Sequence, residues 1–144
     1  MKRIILVTLI LLLASWSGCK EKTPSRDYIP EIKNQLFKLQ QAVKQKNRAA
    51  IDSLLSVEML DEKLTSDSLL QFVYNIPERY DAFEFEQFGG ANIIYSFDIA
   101  QIDCFIMDST HLKDRPIVFK LILDDKVWLF REFKEGVIET SDSI

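Results

Sequence analysis

Apolar residues change their spacing twice along this chain of 144 residues, and each change marks a boundary. After Lys2 and Arg3 comes an apolar run from Ile4 to Ala14, interrupted only by Thr8, with no period at all. From Asp27 to Lys46 the apolar positions are Ile29, Ile32, Leu36, Leu39 and Val43. Steps of three and four place them on one face of a long helix, with Lys and Gln opposite. Pro30 suits the first turn of that helix, where its missing N–H costs little. Asn47 is predicted to cap a second helix through Ala50, Ile51, Leu54 and Leu55. Ser66 is predicted to cap a third, with Leu69, Leu70, Val73 and Ile76 on one side and Pro77 ending it.

After Pro77 the period becomes twofold. Phe83, Phe85 and Gln87 alternate with Glu84 and Glu86, the pattern of a strand with one dry side. Gly89-Gly90 reads as a turn. Ala91 to Met107 supplies one long bent strand or two shorter ones, with any break near Asp98 to Gln101. Asp108 to Arg115 reads as a polar loop. Pro116–Leu123 and Val127–Phe133 are two strands joined at Asp124-Asp125-Lys126. In the first, Ile117, Phe119, Leu121 and Leu123 share a face while Val118 and Ile122 take the other, as in a central strand covered on both sides. Helices first and an antiparallel sheet afterwards make an α+β domain.

The opening segment has the three parts of a secretory signal, a basic start, an apolar core and small residues after it. It is too short for a comfortable membrane span, which needs about 20 apolar residues. Ser15-Trp16-Ser17-Gly18-Cys19 resembles the lipobox of bacterial lipoproteins, whose cysteine is acylated and becomes the mature N-terminus. Trp16 departs from the aliphatic residue usual at its position. The alternative is an ordinary signal peptide cut elsewhere, with Cys19 an incidental thiol. The expected organisation is a signal peptide over 1–18, a lipidated Cys19 and tether over 19–26, one domain over 27–136 and a tail over 137–144. Two or more acyl chains on Cys19 would anchor the chain stably where one does not.

Cleavage before Cys19 removes Lys2 and Arg3 and leaves 16 basic against 22 acidic residues, so the net charge falls from −4 to −6. Such a chain is a poor candidate for nucleic acid, whose phosphates are bound by Lys and Arg displacing counterions. Lys33, Lys38, Lys44, Lys46 and Arg48 alternate with apolar positions and read as the solvated side of a helix. Cys104, between Asp103 and Phe105, reads as a small buried hydrophobe rather than a reactive thiol. One histidine and one spare cysteine make no metal cluster of Cys/His spacing, and no cofactor is implied.

Two stretches carry a wider resemblance. Leu39 to Leu55 is similar to the opening helix pair of the nuclear-transport-factor-two-like (cystatin-like) superfamily, the cone-shaped fold that includes ketosteroid isomerase. Phe119 to Phe130 resembles its closing hairpin, with a tryptophan after the turn. The resemblance implies helices packed on a curved antiparallel sheet, with a pocket at the open end of the cone. No catalytic motif of the superfamily is shared, so no functional residue carries over.

Geometry alone supplies site candidates. If Ala91 to Met107 pleats continuously, Tyr95, Phe97, Ile99, Asp103, Phe105 and Met107 face one side. Asp103 in an aromatic row would have a raised pKa and could act as a general acid or base, with Tyr95 as a hydrogen-bond donor. A bulge near Asp98 would instead flip the register and leave Asp103 in water. His111 sits among Ser109, Thr110, Lys113 and Asp114 and reads as solvated. Tyr74, Phe97, Phe105 and Trp128, with Tyr80 and Phe130, could line a pocket for an apolar ligand, although a domain of this size needs most large side chains for its core. Trp128 and Phe130 are expected to share a buried face against Leu36, Leu39 or Val43. The function these residues favour is a non-enzymatic, membrane-anchored envelope module that binds an apolar small molecule or a protein partner. The alternatives are a small isomerase or lyase using Asp103, and an assembly or inhibitor protein using an exposed sheet face. Lys20-Glu21-Lys22 after the cysteine, with no aspartate, favours the outer membrane, on either face.

Overall fold

The computed structural model describes residues 25–57, 65–74, 83–109 and 113–137. The signal segment, Cys19, Ile76, Pro77, Tyr80, Thr110, His111, Leu112 and the tail after Val137 lie outside the described residues. Helix α1 spans Ile29–Lys44, α2 Arg48–Asp52 and α3 Ser66–Tyr74. Strands β1 (Phe85–Ser96), β2 (Ile99–Asp108), β3 (Lys113–Asp124) and β4 (Val127–Glu135) form one antiparallel sheet in sequence order.

Three predicted helices form, but the second stops at Asp52: Leu54 and Leu55, expected on its apolar face, lie beyond it in a turn and a bridge to Phe130. Pro30 lies in the first turn of α1. The Asn47 side chain accepts from the Ala50 N–H at 3.1 Å and so starts α2. Thr65, not Ser66, caps α3: its hydroxyl accepts from Ser68 N, and Ser68 Oγ accepts in turn from Thr65 N, a reciprocal pair that satisfies two otherwise free donors. At the other end of α3, Arg115 donates to the carbonyls of Phe72 and Val73 and lies over the Phe72 ring. A cation there complements the negative end of the helix. Arg115, expected in a loop, is thus a strand residue.

Helix α1 faces the sheet with Ile32, Leu36, Leu39, Ala42 and Val43, all buried. The basic residues Lys33, Lys38, Lys44, Lys46 and Arg48 are exposed, as expected of a solvated side. Two glutamines depart from the pattern. Gln35 is buried and donates to the Trp128 carbonyl at 2.9 Å, and Gln40 accepts from Phe88 N at 3.1 Å. Polar residues on the inner face serve here as hydrogen-bond partners for strand backbone.

Gly89-Gly90 is not a turn but an irregularity inside β1, where the register with β2 shifts between Gly89 and Asn92. Gly90 has a φ of +66°, which suits a residue without Cβ. Phe105 lies beside it and closes over the bend. The chain reverses instead at Phe97-Asp98, so Ala91 to Met107 is divided between two strands. Ser96 pairs with Ile99 and Tyr95 with Ala100. Odd positions near the end of β1 therefore share a face with even positions of β2. At the second hairpin Asp125 and Lys126 both have positive φ, 41° and 66°. That matches the right-handed twist of the flanking strands. A short segment after α2 lies along β4: Phe130 N donates to Leu54 O and Ser56 N to Phe130 O.

Candidate functional site

A pocket inside the cone would need space between helices and sheet. The described residues fill that space. Phe85, Phe119, Phe130 and Trp128 are each 2% exposed or less. Their rings run in a chain, Phe85 to Phe88 at 4.9 Å, Phe88 to Phe119 at 5.1 Å and Phe119 to Phe130 at 5.3 Å, in tilted or edge-on contact. Such geometry is favourable for aromatic pairs and leaves little room between them. Trp128 and Phe130 share the buried face with Leu36, Leu39 and Val43, as expected from the sequence.

The sheet separates the two residues proposed to act together. Tyr95 is on the helix side, its ring edge-on to Tyr28 at 5.8 Å and its hydroxyl 3.5 Å from Asp27 Oδ1. Asp103 is on the opposite side, half-buried, paired with Asn92 and Val118 and accepting from Gln101 Nε2 at 3.0 Å. The continuous pleat that would have aligned them is broken by the Phe97-Asp98 turn. Cys104, next to Asp103, points into the core, and burial pushes its thiol up to about 12. Among the described residues no three of His, Cys, Asp or Glu gather as metal ligands.

The four aromatics proposed for a pocket stand in four settings. Tyr74 packs edge-on to Phe85 and donates to Val43 O at 3.0 Å; burial raises the pKa of its phenol. Trp128 is core. Phe97 is 90% exposed at the tip of the first hairpin. Phe105 is half-buried on the outer face of the sheet, away from the helices.

Smaller hollows lie on the helix side, one of about 400 Å³ among Lys46, Arg48, Asp67, Leu70 and Tyr74 and one of about 220 Å³ among Gln35, Lys38, Val127 and Trp128. The larger open space lies on the outer face. Near Phe105 a hollow of about 490 Å³ is lined by Gly90, Asn92, Asp103, Pro116, Val118 and Val137. Nearer the hairpin tips a second, of about 670 Å³, lies among Ile94, Phe97, Ile99, Gln101, Lys120 and Arg131. Alternation on β3 predicts a second covered face at Val118 and Ile122, but both are only half-buried and no described helix lies over them. What it could not show is that, among the described residues, every helix lies on the other side.

No family model matches the chain, and no curated protein matches it. Solved structures do. A protein from Exiguobacterium sibiricum described as a Ca/calmodulin-dependent kinase II association domain superposes with a TM-score of 0.51 at 12% identity, over 74% of this chain and 90% of that one. A variant of Rd1NTF2_05 gives 0.52 at 12%, over 76% and 100%. A Streptomyces avermitilis protein described as a dehydratase from the NTF2-like family gives 0.47 at 11%, over 76% and 96%. At such identities the likeness is one of fold, and the fold is nuclear-transport-factor-two-like.

Proposed function

We propose that this nuclear-transport-factor-two-like domain is a non-enzymatic binding module of a bacterial envelope lipoprotein, cleaved before Cys19 and anchored by it. The observation that carries the binding mode is the contrast between a filled interior and an open outer face. Trp128 at 1% exposure and the aromatic chain beside it occupy the space a small ligand would take. The outer face instead offers half-buried Phe105, Pro116 and Val118 around a hollow, with Asp103 and Gln101 as polar neighbours. Apolar side chains rimmed by polar ones suit a protein partner in the envelope. An isomerase or lyase would have to work with Asp103 from that outer face and without Tyr95.

The anchor is supported by Ser17-Gly18-Cys19 after an apolar run, and Lys20-Glu21-Lys22 favours the outer membrane. Cys19→Ala should release the protein from the membrane fraction; retention there with an unmodified Cys19 in the wild type would refute the anchor. For the binding mode, a photo-crosslinker at Val118 should join an envelope protein, and one at exposed Lys33 on α1 should not. Equal labelling from both positions would remove the outer face from the proposal.

A further inference from the structure

The end of the sheet where β1 turns into β2 and β3 into β4 carries apolar surface that the fold does not use. Phe97 is 90% exposed, Ile94 60% and Ile99 53%. Phe97 also holds a φ of +55°, a setting that favours Gly or Asn and strains a bulky residue. Neither burial nor turn propensity gives a phenylalanine a folding role there. The tip is held firmly, since Leu123 N donates to Asp98 O at 2.7 Å and ties one hairpin to the other.

The chain enters the domain at this same end. Tyr28 packs edge-on to Tyr95 and to Trp128 at 5.8 and 5.5 Å, and Tyr95 stands two residues before Phe97. Cys19 is six residues before Ser25. Whatever path those residues take, they span at most about 20 Å. A lipid on Cys19 thus keeps the Phe97 tip, rather than the far end of the strands, within reach of the bilayer.

We infer that the Phe97 tip is a second, non-covalent contact with the membrane, seated at the headgroup boundary beside the lipid anchor. The inference rests on the lipoprotein reading above. Three apolar side chains would not hold a soluble protein to a bilayer, but an anchored neighbour raises their effective concentration at the surface. Around the tip Asp27, Asp98, Asp124, Asp125 and Glu132 stand against Arg26, Lys120, Lys126 and Arg131, so no basic excess marks the site. The contact is therefore apolar and suited to neutral lipid. Anionic lipid should not strengthen it, the opposite of a polybasic membrane site.

The test uses the full mature chain in phosphatidylcholine vesicles with bromine-labelled acyl chains, which quench indoles at the boundary. F97W is compared with V137W. Val137 is 87% exposed and follows Gly136, whose N–H donates to Pro116 at the far end of the sheet. After the Trp128 background is subtracted, F97W should be quenched at least about twofold more than V137W, and no more strongly as phosphatidylglycerol replaces phosphatidylcholine. Phe97→Gly relieves the positive φ, so the fold should survive, while the protection from hydrogen exchange that vesicles give the wild-type segment from Ile94 to Ile99 is lost. Equal quenching of the two indoles overturns the inference. So does a photo-crosslinker at Phe97 that joins an envelope protein while F97W stays unquenched, since the tip would then be a protein contact. The mass of Cys19 reports the anchor separately. If it carries no lipid, that reading fails by itself, and coupling the Cys19 thiol to a maleimide lipid lets the same quenching ratio decide on the tip.

Discussion

On the helix side of β3, Ile117, Phe119 and Leu121 are each 1% exposed or less. One residue along, on the other side of the same strand, Pro116, Val118 and Ile122 are only half-buried. The two faces are made from alternate residues of the same strands, yet one is closed by aromatic packing and the other is left open. Apolar content does not distinguish them, because β3 is apolar on both. What differs is the partner: α1 and α3 cover one face, and among the described residues nothing covers the other. Stability should therefore reside on the helix side and tolerance on the outer side, and substitutions can test that division.

The largest effect is expected at Trp128. Trp128→Ala opens a cavity beneath α1 and should cost about 3–5 kcal/mol in denaturant melts. A loss under about 1 kcal/mol, the size of a surface change, would mean that the closed face is not where the stability lies. Next comes Cys104. Its thiol ionises near 9.0 in an ordinary setting and at about 12 in the folded chain. The folded state thus keeps a proton that the unfolded state has lost. The contribution is fully present below about pH 9 and drains away as pH rises toward 12, by about 2–3 kcal/mol at pH 11. Wild type and Cys104→Ala should therefore converge in stability, or cross, between pH 9 and 11; parallel curves would show the thiol to be wet. The smallest effect belongs to the outer face. Asp103→Asn should change stability by no more than about 0.5 kcal/mol. A loss several times larger would show that Asp103 holds the fold together and that stability resides on both faces of the sheet.

The closed face was legible in the sequence because burial leaves a periodic trace. Steps of three and four named the inner side of α1, and alternation named Ile117, Phe119 and Leu121 together. Trp128 followed from the same alternation across a short turn. The misplaced turn and the misplaced face of Asp103 share one cause, that punctuation in a sequence is ambiguous about what it punctuates. Gly89-Gly90 marks a bend within a strand, whereas Phe97-Asp98, with no glycine, marks the reversal. That single exchange decides the face of Asp103, since a two-residue turn shifts the alternation of every position after it. Gln35 and Gln40 were assigned outward for their polarity, although the backbone groups they satisfy, Trp128 O and Phe88 N, are far away in sequence. No local pattern reports such a partner. The outer hollow was out of reach for a similar reason, because whether a helix covers a face is a matter of topology.

The irregularity at Gly89-Gly90 has a further consequence for how copies of this protein coexist. β1 is an edge strand, and a flat edge with free backbone groups invites a strand from another molecule to pair with it. Here the shifted register bends the edge, and the Gln40 side chain occupies the Phe88 N–H that a foreign strand would seek. At the opposite edge, Leu54 to Ser56 already pairs with Phe130. Both margins of the sheet are thus blunted against runaway strand addition, so molecules crowded side by side can touch through side chains without being drawn into a continuous intermolecular sheet.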